Sequence, residues 1–152
     1  MDITVIIVNW NTKNLLCDCL TSVYKTLADL SFEIIVVDNA SSDGSVAMLH
    51  TQYPRVRIIA NSENKGFGTA NNQGFAQMKG RYALLLNTDA VLTEGAAQKL
   101  LAFAERHLDA AIVCGQLLNA DGSKQNSVAA FPTLLTLAAN TSLLEYLFPN
   151  KY

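Results

Sequence analysis

Residues 3–8 and 32–37 are largely apolar runs dominated by Ile and Val, interrupted only by Thr4 and Glu33, and shorter runs follow at 56–60 and 82–86. Runs of this kind suit strands buried on both faces, as in a parallel sheet. The segments between them change period. Leu15, Leu16, Cys19, Leu20, Val23 and Leu27 recur at helical spacing across residues 12–27. The turn formers Asn39-Ala40-Ser41-Ser42-Asp43-Gly44 supply N-cap candidates for a second helix reaching Tyr53. A small-residue helix is predicted over 66–78, and another over 93–107 with Leu100, Leu101 and Phe103 inward. Residues 110–114 read as a fifth strand.

Strands alternating with helices imply parallel pairing, because each parallel pair needs a crossover and the crossovers supply covering layers. The expected class is therefore α/β, a mostly parallel central sheet with helices on both faces. Residues 1–115 carry the alternation. Beyond them it stops, at a hairpin-type Asp121-Gly122 turn. With no linker or repeat, residues 1–152 are expected to form a single domain, with 116–152 as its second segment.

In such sheets ligands bind outside the carboxyl ends of the strands, where strand order reverses. Three predicted strands end there in polar residues: Asn9-Trp10-Asn11, Asp38-Asn39 and Asn87-Thr88-Asp89. Asn, Thr and Asp are ordinary turn residues. Converging on one edge, they also make a site with an aromatic ring and carboxylates. Asn87 and Asp89, two positions apart, would grip a hard cation whose other ligands come from a diphosphate.

Composition narrows the choices. The net charge of −2, from 11 basic and 13 acidic residues without a basic block, argues against nucleic acid. Cys17, Cys19 and Cys114 follow no metal-ligand spacing and read as reduced filler in a cytosolic protein. No apolar run reaches the ~18 residues of a membrane span. The first strand is followed by Asn-Trp-Asn-Thr where a dinucleotide fold needs its glycine fingerprint, and Asn64-Lys65-Gly66-Phe67-Gly68-Thr69 is not a phosphate loop of the GxxxxGK type. A nucleotidyltransferase would need a Gly-rich, basic loop after the first strand, and none is visible. Gly66 and Gly68 fit either a helix start or an anion-facing backbone.

Four segments together resemble a known family: V-N-W-N from Val8, V-V-D-N-A-S-S-D-G-S from Val36, N-K-G-F-G-T-A-N-N-Q-G from Asn64 and L-L-N-T-D-A from Leu85. Their order and spacing are similar to family 2 glycosyltransferases of the GT-A fold, nearest the rhamnosyltransferase-like branch. G-Q-L-L-N-A-D-G-S-K-Q-N-S from Gly115 and F-P-T-L from Phe131 extend the likeness. The resemblance implies transfer of a sugar from a UDP- or dTDP-sugar to a glycan or lipid-linked acceptor hydroxyl, in bacterial surface polysaccharide synthesis. A non-catalytic nucleotide-sugar-binding module is the alternative.

Carried onto this chain, the resemblance implies that Trp10 stacks on the base and Asp38 bonds the nucleoside, with Val8, Asn11, Asn39 and Gly66 lining the same site. Asn71 stands where many members have Arg, and Asn87 replaces the first Asp of the family's D-x-D motif. Asp89 is the expected ligand of Mg²⁺ or Mn²⁺. The catalytic base is expected beyond Tyr152, because past Asp121 the sole acid is Glu145, in a Leu-rich helix. That helix, 134–148, is apolar enough to suggest a homodimer. The implied location is cytoplasmic, including the inner face of the membrane.

Overall fold

The computed structural model describes residues 1–126. Glu145, the Leu-rich 134–148 segment and the homodimer expected from it lie outside the described residues. Within them the chain runs β1 (Ile3–Asn9), α1 (Lys13–Thr26), β2 (Phe32–Asp38), α2 (Ser45–Gln52), β3 (Arg57–Ala60), α3 (Phe67–Gln77), β4 (Tyr82–Leu85) and α4 (Ala96–Arg106). All pairings are parallel, in the order β3-β2-β1-β4. Residues 1–114 form one compact unit.

The apolar runs of β1 and β2 are sorted by parity. Ile3, Val5 and Ile7 of β1, with Ile34 and Val36 of β2, join Leu16, Cys19, Leu20, Val23 and Leu27 of the α1 region and Met48 and Leu49 of α2 in the main core. Ile35 and Val37 face the other way, onto Ala70 of α3, with Val8, Ile59 and Met78 around them. Both faces of these strands are thus covered. Each fully buried aliphatic side chain contributes roughly 1.5–3 kcal/mol. The α3 face is closer-fitting because its residues are small: a Cβ on Gly74 would lie 2.6 Å from Ile6 Cγ2.

Three expectations need correction. Among the described residues the Tyr82-to-Leu86 run is not buried on both faces; β4 has a strand neighbour on one side, and Leu85 is 46 % exposed. Residues 110–114 pair with no described strand, and Ile112 is 83 % exposed, so no fifth strand forms there. Phe103 lies on the outer side of α4, stacked on His107 one turn later, while Leu101 packs against the core. The Asp121-Gly122 turn does form. Gly122 takes φ +82°, the Asn119 N–H donates to the Ser123 carbonyl at 2.8 Å, and Leu118 bridges Lys124.

At the amino ends of the strands, Glu33 organises a polar clasp. Its carboxylate accepts from the Thr4 hydroxyl (2.9 Å) and the Lys79 N–H (2.6 Å), with Arg57 at 3.7 Å. Gly80 donates to Thr4 Oγ1 at 2.8 Å, and a Cβ there would meet the Thr4 backbone nitrogen at 2.4 Å. Backbone cannot step aside as a flexible side chain can. Gly80→Ala should therefore cost about 1–3 kcal/mol of stability, read as a lower urea midpoint, whereas Gly68→Ala, which meets nothing within 4 Å, should be near neutral. Equal midpoints for the two variants would contradict the close approach.

Candidate functional site

The chain adds β2 and β3 on one side of β1 and then crosses to place β4 on the other side. That reversal puts the switch-point crevice at the carboxyl ends of β1 and β4, where parallel α/β sheets bind ligands. The register Asn9↔Asp38 brings the end of β2 level with the end of β1.

The side chains there form one network centred on Asn9, which is fully buried. Asn9 Nδ2 donates to Asp38 Oδ1 at 2.7 Å and to Ser41 Oγ at 3.0 Å, and its Oδ1 accepts from the Thr12 hydroxyl at 2.8 Å. The hydroxyls of Thr12 and Thr88 lie 3.0 Å apart, which carries the network across to the end of β4. Asp38, 1 % exposed, also accepts the Ser41 N–H at 2.8 Å through Oδ2. A buried carboxylate needs such donors, because an unpaired one would be driven to neutralise. The sequence places Asn9 and Thr88 at the converging strand ends without giving either a role of its own, and it does not single out Thr12 or Ser41. Asn9 and Thr88 look like turn residues until the strand order is known.

The remaining expected site residues divide by exposure. Trp10 stands 56 % exposed at the end of β1, and Asn87 and Asp89 are exposed at the end of β4. Asn11 is exposed at φ +54°, yet it holds the neighbouring loop in place. Its Oδ1 accepts the Ser42 N–H at 2.8 Å, and its own N–H donates to Ser41 Oγ at 2.9 Å. Val8 is half-buried against the smaller core cluster, in register with Val37 of β2. Asn39 is buried, accepting from Asn61 Nδ2 at 2.9 Å and reaching the Gly66 carbonyl at 3.4 Å. Gly66 takes φ +79° at the start of α3, a conformation that favours glycine, and Asn71 turns back to the Phe67 carbonyl at 3.0 Å.

The donor set suits a hard cation. Among the described residues no three His, Cys, Asp or Glu side chains gather to hold a metal ion. Asp89 and Asn87 carry side-chain oxygens, the kind of partial set that Mg²⁺ or Mn²⁺ accepts when phosphate and water complete it. Cys19 is no thiolate competitor: burial, and then the Asp89 carboxylate, push its thiol up to about 12, and it donates to the Asn87 carbonyl at 3.4 Å.

A family model described as glycosyl transferase family 2 matches residues 4–145. The chain belongs to that family. It is 29 % identical over 127 residues to glycosyltransferase GlyG of Streptococcus pneumoniae, covering 82 % of this chain and 42 % of that protein. It is 29 % identical over 113 residues to the N-acetylglucosaminyl-diphospho-decaprenol L-rhamnosyltransferase of Mycobacterium tuberculosis, covering 67 % of this chain and 37 % of that one. The chain thus spans less than half the length of these relatives. Staphylococcus aureus TarS 1–349 in complex with UDP-GlcNAc superposes with a TM-score of 0.63 at 23 % identity, over 71 % of this chain and 32 % of that one. The mannosyltransferase PcManGT from Pyrobaculum calidifontis, in complex with GDP-Man and Mn²⁺, gives 0.61 at 22 % identity, over 67 % and 32 %. The fold of this glycosyl transferase family 2 chain is accordingly the Rossmann-like GT-A fold.

The loop after β2 is fastened to both helix starts by Asp43, whose Oδ2 accepts the Lys13 N–H at 2.8 Å and whose Oδ1 accepts from Ser45 N–H (3.0 Å) and Oγ (2.5 Å). Partial desolvation would raise its pKa, but the bonds from the Ser45 hydroxyl and the two backbone N–H groups outweigh it and hold the carboxyl below its usual range. A depressed folded-state pKa contributes stability that is present above the unfolded value, about 3.9, and is lost as pH falls through the folded value. Asp43→Asn should therefore flatten the acid limb of the stability–pH curve below about pH 4. Parallel acid limbs for variant and wild type in urea unfolding at stepped pH would contradict that role.

Proposed function

We propose that residues 1–115 are the donor-binding core of a sugar transferase, taking a nucleoside diphosphosugar with Mg²⁺ or Mn²⁺ at the carboxyl ends of β1, β2 and β4. The observation that carries this reading is the Asn9-centred network, which joins three polar strand ends into one site at the switch point. Trp10 offers an exposed indole face as a platform for the base. Asp38 keeps two unused acceptor positions for a nucleoside N–H or ribose hydroxyl, since a carboxylate has about four and two are filled. Asn39, with the Gly66 carbonyl, braces the far wall of the same site.

Asp89 would hold the cation and Asn87 the ribose or a metal-bound water. Once bound, the cation supplies charge neutralisation for the leaving diphosphate. The protein's own part is to hold the donor and to present Asp89 beside it. The acceptor hydroxyl is a glycan or lipid-linked one, and its proton passes to a general base. UDP is the favoured nucleotide, since TarS was solved with UDP-GlcNAc; Mn²⁺ accompanies GDP-Man in PcManGT. Among the described residues no helix is long and apolar enough to cross a membrane. Work on cytoplasmic donors, or at the inner membrane face, fits that description.

Asp89→Ala should weaken Mn²⁺-dependent UDP binding in calorimetry by at least the roughly 10–100-fold that losing an outer-shell partner costs. Its circular dichroism and unfolding midpoint should stay at wild-type values, because Asp89 is exposed. Unchanged UDP affinity in the variant would remove Asp89 from the metal site.

A further inference from the structure

Thr12 is the N-cap residue of α1, yet its side chain makes no capping bond. Threonine at that position ordinarily bonds the second or third helical N–H. Here the hydroxyl is diverted to Asn9 Oδ1 and Thr88 Oγ1, and Asp43 from another loop serves the Lys13 N–H instead.

The first bonds of this relay are ordered by one carboxylate. Asp38 can only accept, so the NH₂ of Asn9 must face it, and its second hydrogen goes to Ser41. The Asn9 carbonyl oxygen then faces Thr12 and takes the only hydrogen that hydroxyl has. Thr12 Oγ1 also lies 3.0 Å from Thr88 Oγ1, which carries the contact on to the end of β4. The turn carrying Asn87 and Asp89 is thereby tied, one bond after another, to the carboxylate at the end of β2. Helix α1 holds the same segment at two further points: Cys19 donates to the Asn87 carbonyl at 3.4 Å, and Leu92 N–H donates to Ser22 Oγ at 3.0 Å.

We propose that Thr12 and Thr88 are positioning residues that couple the nucleoside end of the donor site to its diphosphate–cation end. The inference rests on the donor-site reading above. Neither hydroxyl needs to touch the ligand. Ordering Asp38 and Asn9 around a nucleoside pre-orders the Asn87–Asp89 turn for the cation, and the effect is reciprocal because coupling free energies are. Losing Thr12 Oγ1 should leave the fold standing, since Cys19 and Ser22 still hold the segment.

The test is calorimetric titration of the 152-residue chain with UDP, with and without Mn²⁺. Coupling is read as the ratio of the two affinities. Thr12→Val should cut that ratio roughly fivefold, the worth of one hydrogen bond, and Thr88→Val should do the same. The double variant should lose no more than either single one, and Thr12→Ser, which keeps the hydroxyl, should restore the wild-type ratio. A structural role alone would lower both affinities together and leave the ratio unmoved. An unmoved ratio in Thr12→Val, or one equally reduced in Thr12→Ser, overturns this inference while the donor site stands. A wild-type chain that binds no UDP with either Mg²⁺ or Mn²⁺ overturns the donor-site reading and this inference with it.

Discussion

A carboxylate at 1 % exposure has lost nearly all its water, and the protein must replace the hydrogen bonds that water made. At Asp38 the replacement comes from Asn9 Nδ2 and the Ser41 N–H, and these two bonds set much of what surrounds them. Ser41 is held where it accepts from the Asn11 N–H, which fixes the turn carrying Trp10. Asn9 is oriented so that its oxygen can reach only Thr12, which ties the start of α1 to the end of β4. Breaking a buried, hydrogen-bonded charge of this kind is costly because its former partners are left unsatisfied. The same expense makes the arrangement rigid, and a rigid frame suits a site that must present an indole, a carboxylate and a cation ligand in one geometry.

The frame is legible in the amino-acid sequence because parallel strands covered on both faces have to be apolar at every position. The runs at 3–8 and 32–37 therefore announce β1 and β2, and the change to helical period announces α1 to within one residue at each end. The run at 82–86 is equally apolar, but an apolar run does not say how many neighbours a strand has, and among the described residues β4 has one. The β-branched stretch around Ile112 shows the same limit: a strand requires a partner, and among the described residues it has none.

The site is legible in the residues whose chemistry stands out singly and hidden in the bonds that join them. Trp10, Asp38 and Asp89 stand out by chemistry and by motif. The bonds joining them do not, because Thr12 and Thr88 are 76 residues apart and meet only if β4 lies beside β1. Nothing in local composition sets that strand order. Likewise Asn9 looks like one more polar strand end, and only its full burial and complete set of partners show it to be the centre.

Trp10 is the sole tryptophan of the chain and stands exposed at the mouth of the site, so its fluorescence reports directly on whether a nucleoside diphosphate docks there. Titration of the wild-type protein with UDP in Mn²⁺ should quench that emission saturably, with a weaker response when the cation is chelated. Emission that stays flat while calorimetry registers UDP binding would place the nucleotide elsewhere on the molecule and contradict the account.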